Sequence, residues 1–291
     1  MLKEVCEAAK KVNCNVTAIH INHGYSKFSD NWEQHCEKFC IEHDYPLQKF
    51  SLNIAEAEGA SLESAMREKR YEIFQSLIGK NETLFMGHHL DDQIETLFFR
   101  ILRGSGLKGS SSIPFKRNLG KGLLVRPFLN LSKKEIYEIA KLKKLKFIED
   151  ESNKDIKFDR NFLRNEVIEK ISERWPNYRK SLSKYIENQK SSHEFLKEIT
   201  TIELKKILHG KNIDVNKLKK YDSKYQKILI LQWLEMNNCN SPSSSALDEL
   251  TKFFVSSEKT KEPKFIWGSK EKGNYICLKI KKGIISIESN P

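Results

Sequence analysis

The stretch Leu84–Gly106, LFMGHHLDDQIETLFFRILRGSG, contains an apolar run, a polar turn and an amphipathic segment in succession. Residues 84–86 predict a short buried strand, and Gly87 predicts a bend into the two histidines that follow. A helix is predicted from Leu90, because apolar residues then recur at helical spacing until the glycines at the end of the stretch. The predicted buried stripe of this helix consists of Ile94, Leu97, Phe98, Ile101 and Leu102.

The other face of this predicted helix is acidic. Asp91, Asp92 and Glu95 share its first turns, and His88 and His89 precede them directly. Carboxylates are also favoured at helix starts by the helix dipole, so a purely capping role is the alternative interpretation. The combination of imidazoles and carboxylates at the carboxyl end of a predicted strand favours a functional site, since open α/β sheets bind their ligands there.

Helices and strands alternate before this stretch. The apolar spacing predicts helices over residues 2–12 and 30–43 and strands over residues 16–21 and 46–52. This order is typical of the βαβ units of a parallel sheet. The sequence therefore predicts an α/β fold for the first part of the chain.

Several basic residues lie off the predicted apolar stripes. Arg67 lies beside the stripe of a helix predicted from Ser61, so it faces an edge or a ligand, although an exposed arginine is more often simply solvated. Residues 104–122 contain glycine, serine, lysine and arginine but no acid. They predict a mobile cationic loop, which is either a plain surface loop or a flap over phosphates.

Downstream, residues 123–129 predict a further strand, with Arg126 and Pro127 inside it. Ser132 and Glu135 form a capping box for a lysine-rich helix. Arg160 and Arg164 share one face of the next predicted helix, while Phe162, Leu163 and Val167 are predicted to face inward. Two partners fit this arginine pair equally well: a phosphate backbone, or the acidic residues Asp150, Glu151 and Asp155.

Composition limits the class of protein. The 291 residues fit two domains, for which the Trp175–Pro176 break predicts boundaries at 1–176 and 177–291. The second part predicts helices followed by a β-hairpin or small meander over residues 264–287. The net charge of +12 favours a polyanionic partner over an anionic membrane, because no apolar run reaches the roughly 18–20 residues that span a bilayer.

The N-terminal helix lacks the apolar core of a signal peptide, so a cytoplasmic location is expected. The six cysteines form no CxxC pair and are expected to be reduced thiols. Cys36 and Cys40 lie one helical turn apart, and we expect them to be buried side chains rather than metal ligands. No protein metal ligands are singled out by the sequence.

The run GHHLDDQIETLFFRILRGSGLKG, with AIHINHG and ESAMREKRYEIF before it and RPFLNLSKKEI and EDESNKDIKFDRNFLRNEVIEKI after it, resembles bacterial tRNA(Ile)-lysidine synthetases. The resemblance extends from about Val16 to the end of the chain. It implies an N-type ATP pyrophosphatase fold, adenine nucleotide alpha-hydrolase-like, with a doubly wound parallel sheet followed by a smaller, mainly helical tRNA-binding domain.

The resemblance also implies an activity. ATP, with Mg²⁺, would adenylate the C2 oxygen of the wobble cytidine, position 34, in a tRNA(Ile) with a CAU anticodon. The ε-amine of free L-lysine would then attack C2 and leave lysidine. A homodimer is left open as the oligomeric state, and no membrane partner is expected.

The family's functional residues map onto this sequence. Arg67, Asp92 and Glu95 correspond to its catalytic arginine and acids, whose types suit charge neutralisation and proton transfer. His23, Gly87, His88, His89 and Asp91 are expected to line the substrate and ATP pocket. The expected contacts to tRNA phosphates are Arg100, Arg103, Lys108, Arg160 and Arg164.

One family motif is absent from the sequence. The SGGxDS-type loop, whose backbone amides cradle the ATP phosphates, occurs nowhere in the 291 residues. The chain begins with residues that resemble the helix after that loop, which predicts a truncated N-terminus. Two other hypotheses follow: a tRNA-binding protein that has lost ATP binding, and a related tRNA-thiolating enzyme, which the missing CxxC pairs disfavour.

Overall fold

The computed structural model describes residues 1–24, 26, 28–52, 60–148, 156–256, 263–269 and 274–288. It divides into two compact units, Met1–Lys190 and Ser191–Pro291, which are described separately below. The predicted domain boundary at Trp175–Pro176 stays a prediction.

Unit 1 begins with alternating helices and strands, as its periodicity predicts. The first elements are α1 (Leu2–Lys11), β1 (Ala18–Asn22), α2 (Ser29–Glu42), β2 (Leu47–Ser51) and α3 (Ala60–Leu77). β1 and β2 pair in parallel, with Ala18 opposite Leu47 and Asn22 opposite Ser51. The connection between them is α2, which is the crossover that a parallel pair requires.

The segment that contains Leu84–Gly106 continues this alternation. Its elements are β3 (Thr83–Phe85), α4 (Leu90–Leu102), the single-turn α5 (Leu107–Ser110), β4 (Lys116–Leu119) and β5 (Gly122–Val125). β3 pairs in parallel with β5, and β4 is antiparallel to β5. A Cβ on Gly122 would lie 2.4 Å from the carbonyl oxygen of Glu82, so only glycine allows the two parallel strands to start this close together.

The remaining described elements of unit 1 are helices. It comprises α6 (Lys133–Leu142), α7 (Asp159–Phe162), a π-helical segment (Leu163–Ile168), α8 (Glu169–Arg174) and the start of α9 (Tyr178–Ile207). One core cluster contains Phe74, Ile78, Leu84, Leu119 and Leu124, and joins α3 to the β3–β5–β4 sheet. A second contains Ile94, Leu163, Ile168 and Tyr178, and joins α4 to the π-helical segment and α9.

Unit 2 packs helices against an antiparallel sheet. Its elements after α9 are β6 (Leu208–His209), β7 (Asn212–Asp214), α10 (Val215–Leu218), α11 (Ser223–Met236), α12 (Ser244–Ser256), β8 (Lys264–Ser269), β9 (Asn274–Lys281) and β10 (Ile284–Glu288). The strand order is β6-β7-β10-β9-β8, so the predicted meander is extended by two strands. The core is centred on Trp233, Leu229, Ile230, Leu250 and Phe254, all at most 1% exposed.

Several local predictions are wrong. Ile101 and Leu102 are 47% and 76% exposed, because α4 ends at Leu102 and its core contacts are made by its earlier turns. Phe162 is 49% exposed although Leu163 is buried, since the change from α7 to a π-helical segment alters which side chains share a face. The predicted strand over residues 123–129 ends at Val125, immediately before Arg126 and Pro127.

The stretch 104–122 is not a mobile loop. It contains α5 and β4, and Arg100 fastens it to α4 by donating to the carbonyl oxygens of Gly109 (3.1 Å) and Ser112 (2.6 Å). The Ser112 hydroxyl donates in turn to the carbonyl oxygen of Gln93 at 2.7 Å. The composition suggested mobility because these long-range hydrogen bonds are not visible in it.

Candidate functional site

The first turn of α4 is capped by its own motif residues. His89 is the N-cap: its Nδ1 accepts from the Asp92 backbone N–H at 3.4 Å, and Asp92 Oδ2 accepts from the His89 backbone N–H at 2.9 Å. This is a capping box formed with an unusual residue at the N-cap. The capping interpretation of Asp92 is therefore correct for one of its oxygens, while Oδ1 is directed to another partner.

Glu95 and Asp92 form the centre of an ion network. Glu95 is 1% exposed, and its two oxygens accept from Arg160 Nε (2.7 Å), Arg164 Nε (2.6 Å) and Arg164 Nη2 (3.0 Å). Asp92 Oδ1 accepts from Arg160 Nη2 at 2.8 Å. Two guanidinium groups thus hold two carboxylates in fixed orientations, and a further cationic group can bind these carboxylates only by displacing an arginine.

Asp91 belongs to a second set of contacts. It accepts from the backbone N–H of Lys133 at 2.7 Å and from Arg179 Nε at 2.7 Å. Burial acts to raise the pKa of Asp91, but these two donors outweigh it and hold the pKa below its ordinary value. Asp91 therefore ties α4 to the start of α6 and to the first turn of α9, and stays ionised at neutral pH.

His88 lies between acidic and basic groups. Burial, with Arg126, Arg160 and Arg67 nearby, lowers its pKa to about 4, although Asp92 acts in the opposite direction. The ring is therefore neutral at physiological pH. Its Nδ1 faces Arg126 Nε at 3.3 Å, so Nδ1 is the acceptor and the proton of the neutral ring is on Nε2.

Arg126 begins a basic cluster on the other side of His88. It is 2% exposed and donates to the carbonyl oxygen of Pro114 at 2.8 Å and to the Tyr71 hydroxyl at 3.4 Å. Arg67 and Arg117 lie over the Tyr71 ring, with their Cζ atoms 5.1 and 4.9 Å from its centroid. Burial acts to raise the pKa of Tyr71, but the three guanidinium groups outweigh it and lower that pKa.

A third region lies at the end of β1. Asn22 is buried and donates to Asp30 Oδ1 (3.0 Å) and Glu33 Oε2 (3.1 Å). His20 Nε2 and His23 Nδ1 are buried and have no hydrogen-bond partner within the described residues. Burial lowers the pKa of both histidines. Two neutral imidazoles with unsatisfied nitrogens at the carboxyl end of a parallel strand fit a polar, uncharged ligand such as a nucleobase.

The predicted site residues fall into distinct groups. Asp91, Asp92, Glu95, His88 and His89 lie together at the start of α4, and Arg67 reaches His88 electrostatically from α3. His23 lies at the end of β1, and Gly87 lies directly before His88. Arg103 and Lys108 are exposed, whereas Arg100 is turned inward to hold the α5 segment.

Arg160 and Arg164 have carboxylate partners in α4 that neither sequence alternative named. Their guanidinium groups bind the carboxylates of α4 instead of facing outward towards a phosphate backbone. Asp150, Glu151 and Asp155 lie outside the described residues. The buried Glu95 explains the difference, because an ionised carboxylate at 1% exposure requires cationic partners. Their contact with tRNA stays a prediction.

Sequence reasoning missed Arg117, Arg126 and Arg179 as site residues. Arg126 was noticed only as an interruption of a strand, although an arginine directly before a proline at a strand end is already a candidate for a site at the sheet edge. Arg117 lay inside the supposed mobile loop. Arg179 carries no local signal, because its partner Asp91 lies 88 positions away in the sequence.

No metal centre is formed by this part of the molecule. Within the described residues no group of three or more His, Cys, Asp or Glu side chains could hold a metal ion. All six cysteines are free, and Cys6 and Cys40 are buried, as is Cys277 in unit 2. None of the helices in the described part is long and apolar enough to cross a membrane.

Comparison with known proteins identifies relatives. The family model ATP_bind_3, a PP-loop domain, matches residues 1–171. Curated proteins named tRNA(Ile)-lysidine synthase match from Coxiella burnetii (32% identity; 80% of this chain, 52% of the relative), Pseudomonas putida (41%; 64% and 43%) and Buchnera aphidicola subsp. Acyrthosiphon pisum (34%; 94% and 62%). The chain thus spans about half of the length of these relatives.

A solved structure also aligns, the U34-tRNA thiolase NcsA from Methanococcus maripaludis with its [4Fe-4S] cluster. It has 18% sequence identity and a TM-score of 0.47, over 63% of this chain and 64% of the other. At this level it supports no conclusion about function.

Proposed function

The chain belongs to the PP-loop domain family ATP_bind_3, and we propose that it modifies tRNA in an ATP-dependent reaction. The proposed reaction joins free L-lysine to C2 of the wobble cytidine of a tRNA(Ile) with a CAU anticodon and forms lysidine. The name shared by the curated relatives supports this assignment. Because tRNA is the substrate, we propose a cytoplasmic location; a homodimer stays a prediction.

The observation that carries the proposal is the division of charge at the start of α4. The buried carboxylate of Glu95 and the partly buried carboxylate of Asp92 are held by guanidinium groups, and the basic Tyr71–Arg126 cluster lies on the other side of the neutral His88. An ammonium group fits the first part and a phosphate fits the second. Lysine carries an ammonium group, and ATP and tRNA carry phosphate groups.

The acidic residues would act on the amine. Asp92 and Glu95 bind the ε-ammonium of lysine and take its proton as it becomes a nucleophile. In the structure the guanidinium groups of Arg160 and Arg164 occupy the carboxylate oxygens that the ammonium requires. We therefore propose that lysine binding displaces one of these arginines, which would then be free to pair with phosphate.

ATP supplies the adenylyl group that turns the C2 oxygen of cytidine into a leaving group. Pyrophosphate leaves in that step, and AMP leaves with the oxygen when the amine attacks C2. Arg67 is placed beside His88 and Tyr71, where it would neutralise the charge on a phosphate. His23, with its unsatisfied Nδ1, is proposed to bind the nucleobase together with Gly87 and His89 of the pocket. Mg²⁺ would accompany the triphosphate and neutralise part of its charge.

The proposal is tested by lysine incorporation. Radiolabelled lysine, ATP and an isoleucine tRNA transcript with the CAU anticodon are incubated with the chain, and label in the tRNA is counted. We expect ATP-dependent incorporation that is lost when cytidine 34 is replaced by uridine. An elongator methionine tRNA, which has the same anticodon, measures discrimination. Incorporation that persists without cytidine 34 would contradict the proposed target.

A matched pair of variants separates chemistry from binding. Asp92→Ala should abolish incorporation and leave tRNA affinity nearly unchanged, because the carboxylate acts on the amine. Glu173→Ala removes an exposed acid of α8 and should leave both unchanged. Salt-dependent tRNA binding without any incorporation by the unaltered chain would favour the alternative, a tRNA-binding protein that does not use ATP.

A further inference from the structure

Arg126 is a buried cation with neutral partners. It is 2% exposed, and its hydrogen bonds go to His88 Nδ1, the carbonyl oxygen of Pro114 and the Tyr71 hydroxyl. His88 is neutral at physiological pH, so it provides no negative charge. Buried charges in proteins are normally paired with an opposite charge, because removing an ion from water is costly. Among the residues that the structure describes, no carboxylate pairs with Arg126.

The surrounding residues add positive charge. Arg67 and Arg117 both lie within 5.1 Å of the Tyr71 ring centroid, and Arg117 and Arg126 both contact the Tyr71 hydroxyl. Within the described residues, none of these three arginines forms a salt bridge with a carboxylate. The acidic cluster differs in this respect, since its carboxylates are all paired with guanidinium groups.

The position of the cluster is also that of a ligand site. β3 and β5 are adjacent parallel strands, and His88 and Arg126 follow their carboxyl ends. Arg117 extends from β4 next to β5, and Arg67 and Tyr71 extend from α3. Four elements thus direct five polar side chains to one edge of the sheet, where ligands bind in open α/β folds.

We propose that Arg67, Arg117, Arg126 and the Tyr71 hydroxyl form a binding site for a phosphate group. Guanidinium groups match the geometry of phosphate oxygens, and an anion here supplies the charge that Arg126 lacks. A single carboxylate would leave most of the positive charge unpaired. The phosphate belongs either to the nucleotide or to the RNA backbone. The inference rests on the proposed function for its choice of substrates, but binding is measured without turnover, so the two can fail separately.

Isothermal titration of the full chain with inorganic pyrophosphate tests the nucleotide source. Arg117→Gln and Arg67→Gln change partly or fully exposed side chains and should preserve the fold, which circular dichroism checks. Each is expected to raise the pyrophosphate Kd roughly ten- to hundredfold, the usual effect of losing a hydrogen bond to a charged group. Arg174→Gln, an exposed arginine of α8, removes the same charge elsewhere and should change the Kd little.

The RNA source is tested with a short anticodon stem-loop. If the bound phosphate belongs to the RNA, Arg117→Gln should weaken RNA binding and reduce the slope of log K against log salt by about 0.7–0.9, and leave pyrophosphate binding unchanged. If pyrophosphate affinity is lost and the salt dependence of RNA binding is unchanged, the site belongs to the nucleotide. If neither affinity falls beyond the effect of Arg174→Gln, the site does not exist, whatever the result of the lysine assay.

Discussion

Neutralising Glu95 should destabilise unit 1 through the ion network. In Glu95→Gln the two guanidinium groups of Arg160 and Arg164 lose the carboxylate that accepts from them at 2.6–3.0 Å. Removing one partner of a fully buried ion pair costs about 3–5 kcal/mol. Here the side chains of Arg160 and Arg164 are 28% and 26% exposed, and Arg160 keeps its ion pair with Asp92. We therefore expect a loss of about 2–4 kcal/mol.

The stability of α4 is best measured by hydrogen exchange of its backbone amides during a urea titration, because the two units need not unfold together. Glu4→Gln is the matched control: Glu4 pairs with Lys143, and both side chains are more than a third exposed. That change should cost at most about 1 kcal/mol. We therefore expect a clear difference in cost between two substitutions of the same chemical type.

A double-variant cycle identifies the cause. If the loss in Glu95→Gln comes from unpaired guanidinium groups, adding Arg164→Gln should cost less than it does in the unaltered chain, by about 1 kcal/mol or more. Equal losses for Glu95→Gln and Glu4→Gln would refute the reasoning. So would strictly additive costs in the cycle, which would mean that Glu95 is stabilised by packing alone.

Three further predictions concern neighbouring contacts. The pKa of His88 is about 4 in the fold against an ordinary 6.5, so the unfolded state binds the proton first and stability falls as pH drops from 7 to 5. The shift corresponds to about 2 kcal/mol over this range, which solvent screening reduces to about 1 kcal/mol. Urea unfolding at both pH values should therefore show that wild type loses about 1 kcal/mol more than His88→Asn. Arg179→Gln should raise the pKa of Asp91, measured by carbon NMR of its carboxyl group, and an unchanged value would exclude Arg179 as a cause of its low pKa. Ser132→Ala should destabilise α6 by about 0.5–2 kcal/mol, measured by amide exchange near its first turn.

The local structure around α4 was largely predictable. Helix propensity, spacing and capping act between residues a few positions apart, so the start of α4 at Leu90 and the capping box of Ser132 with Glu135 were both predicted and are confirmed. Parallel strand pairing was also predicted, since strand and helix alternation specifies it, and it is found between β1 and β2 and between β3 and β5. The resemblance to lysidine synthetases, stated from the motifs, is confirmed by the comparisons.

The partners of the charged residues were not predictable from such patterns. Glu95 was assigned to an exposed acidic face, yet it is buried, because Arg160 neutralises it from 65 positions away. Ile101 and Leu102 continue the apolar spacing of α4, but nothing local indicates that the core does not extend to its last turn. Periodicity identifies which face of a helix is apolar or charged. Only the packing of segments that are distant in the sequence decides whether that face is buried.

The acidic and the basic residues of the site form two separate groups, which explains why the site needs both kinds of residue. At the start of α4, Asp91, Asp92 and Glu95 are paired with Arg160, Arg164 and Arg179, so this half is balanced without a ligand. The half around Tyr71 carries its guanidinium groups without carboxylate partners among the described residues. A phosphate can therefore enter the second half without breaking an ion pair, whereas an ammonium group must displace an arginine from the first. Under the proposed function this asymmetry favours binding of the phosphate-bearing substrates before lysine, because a displaced arginine gains a new partner only when phosphate is already nearby.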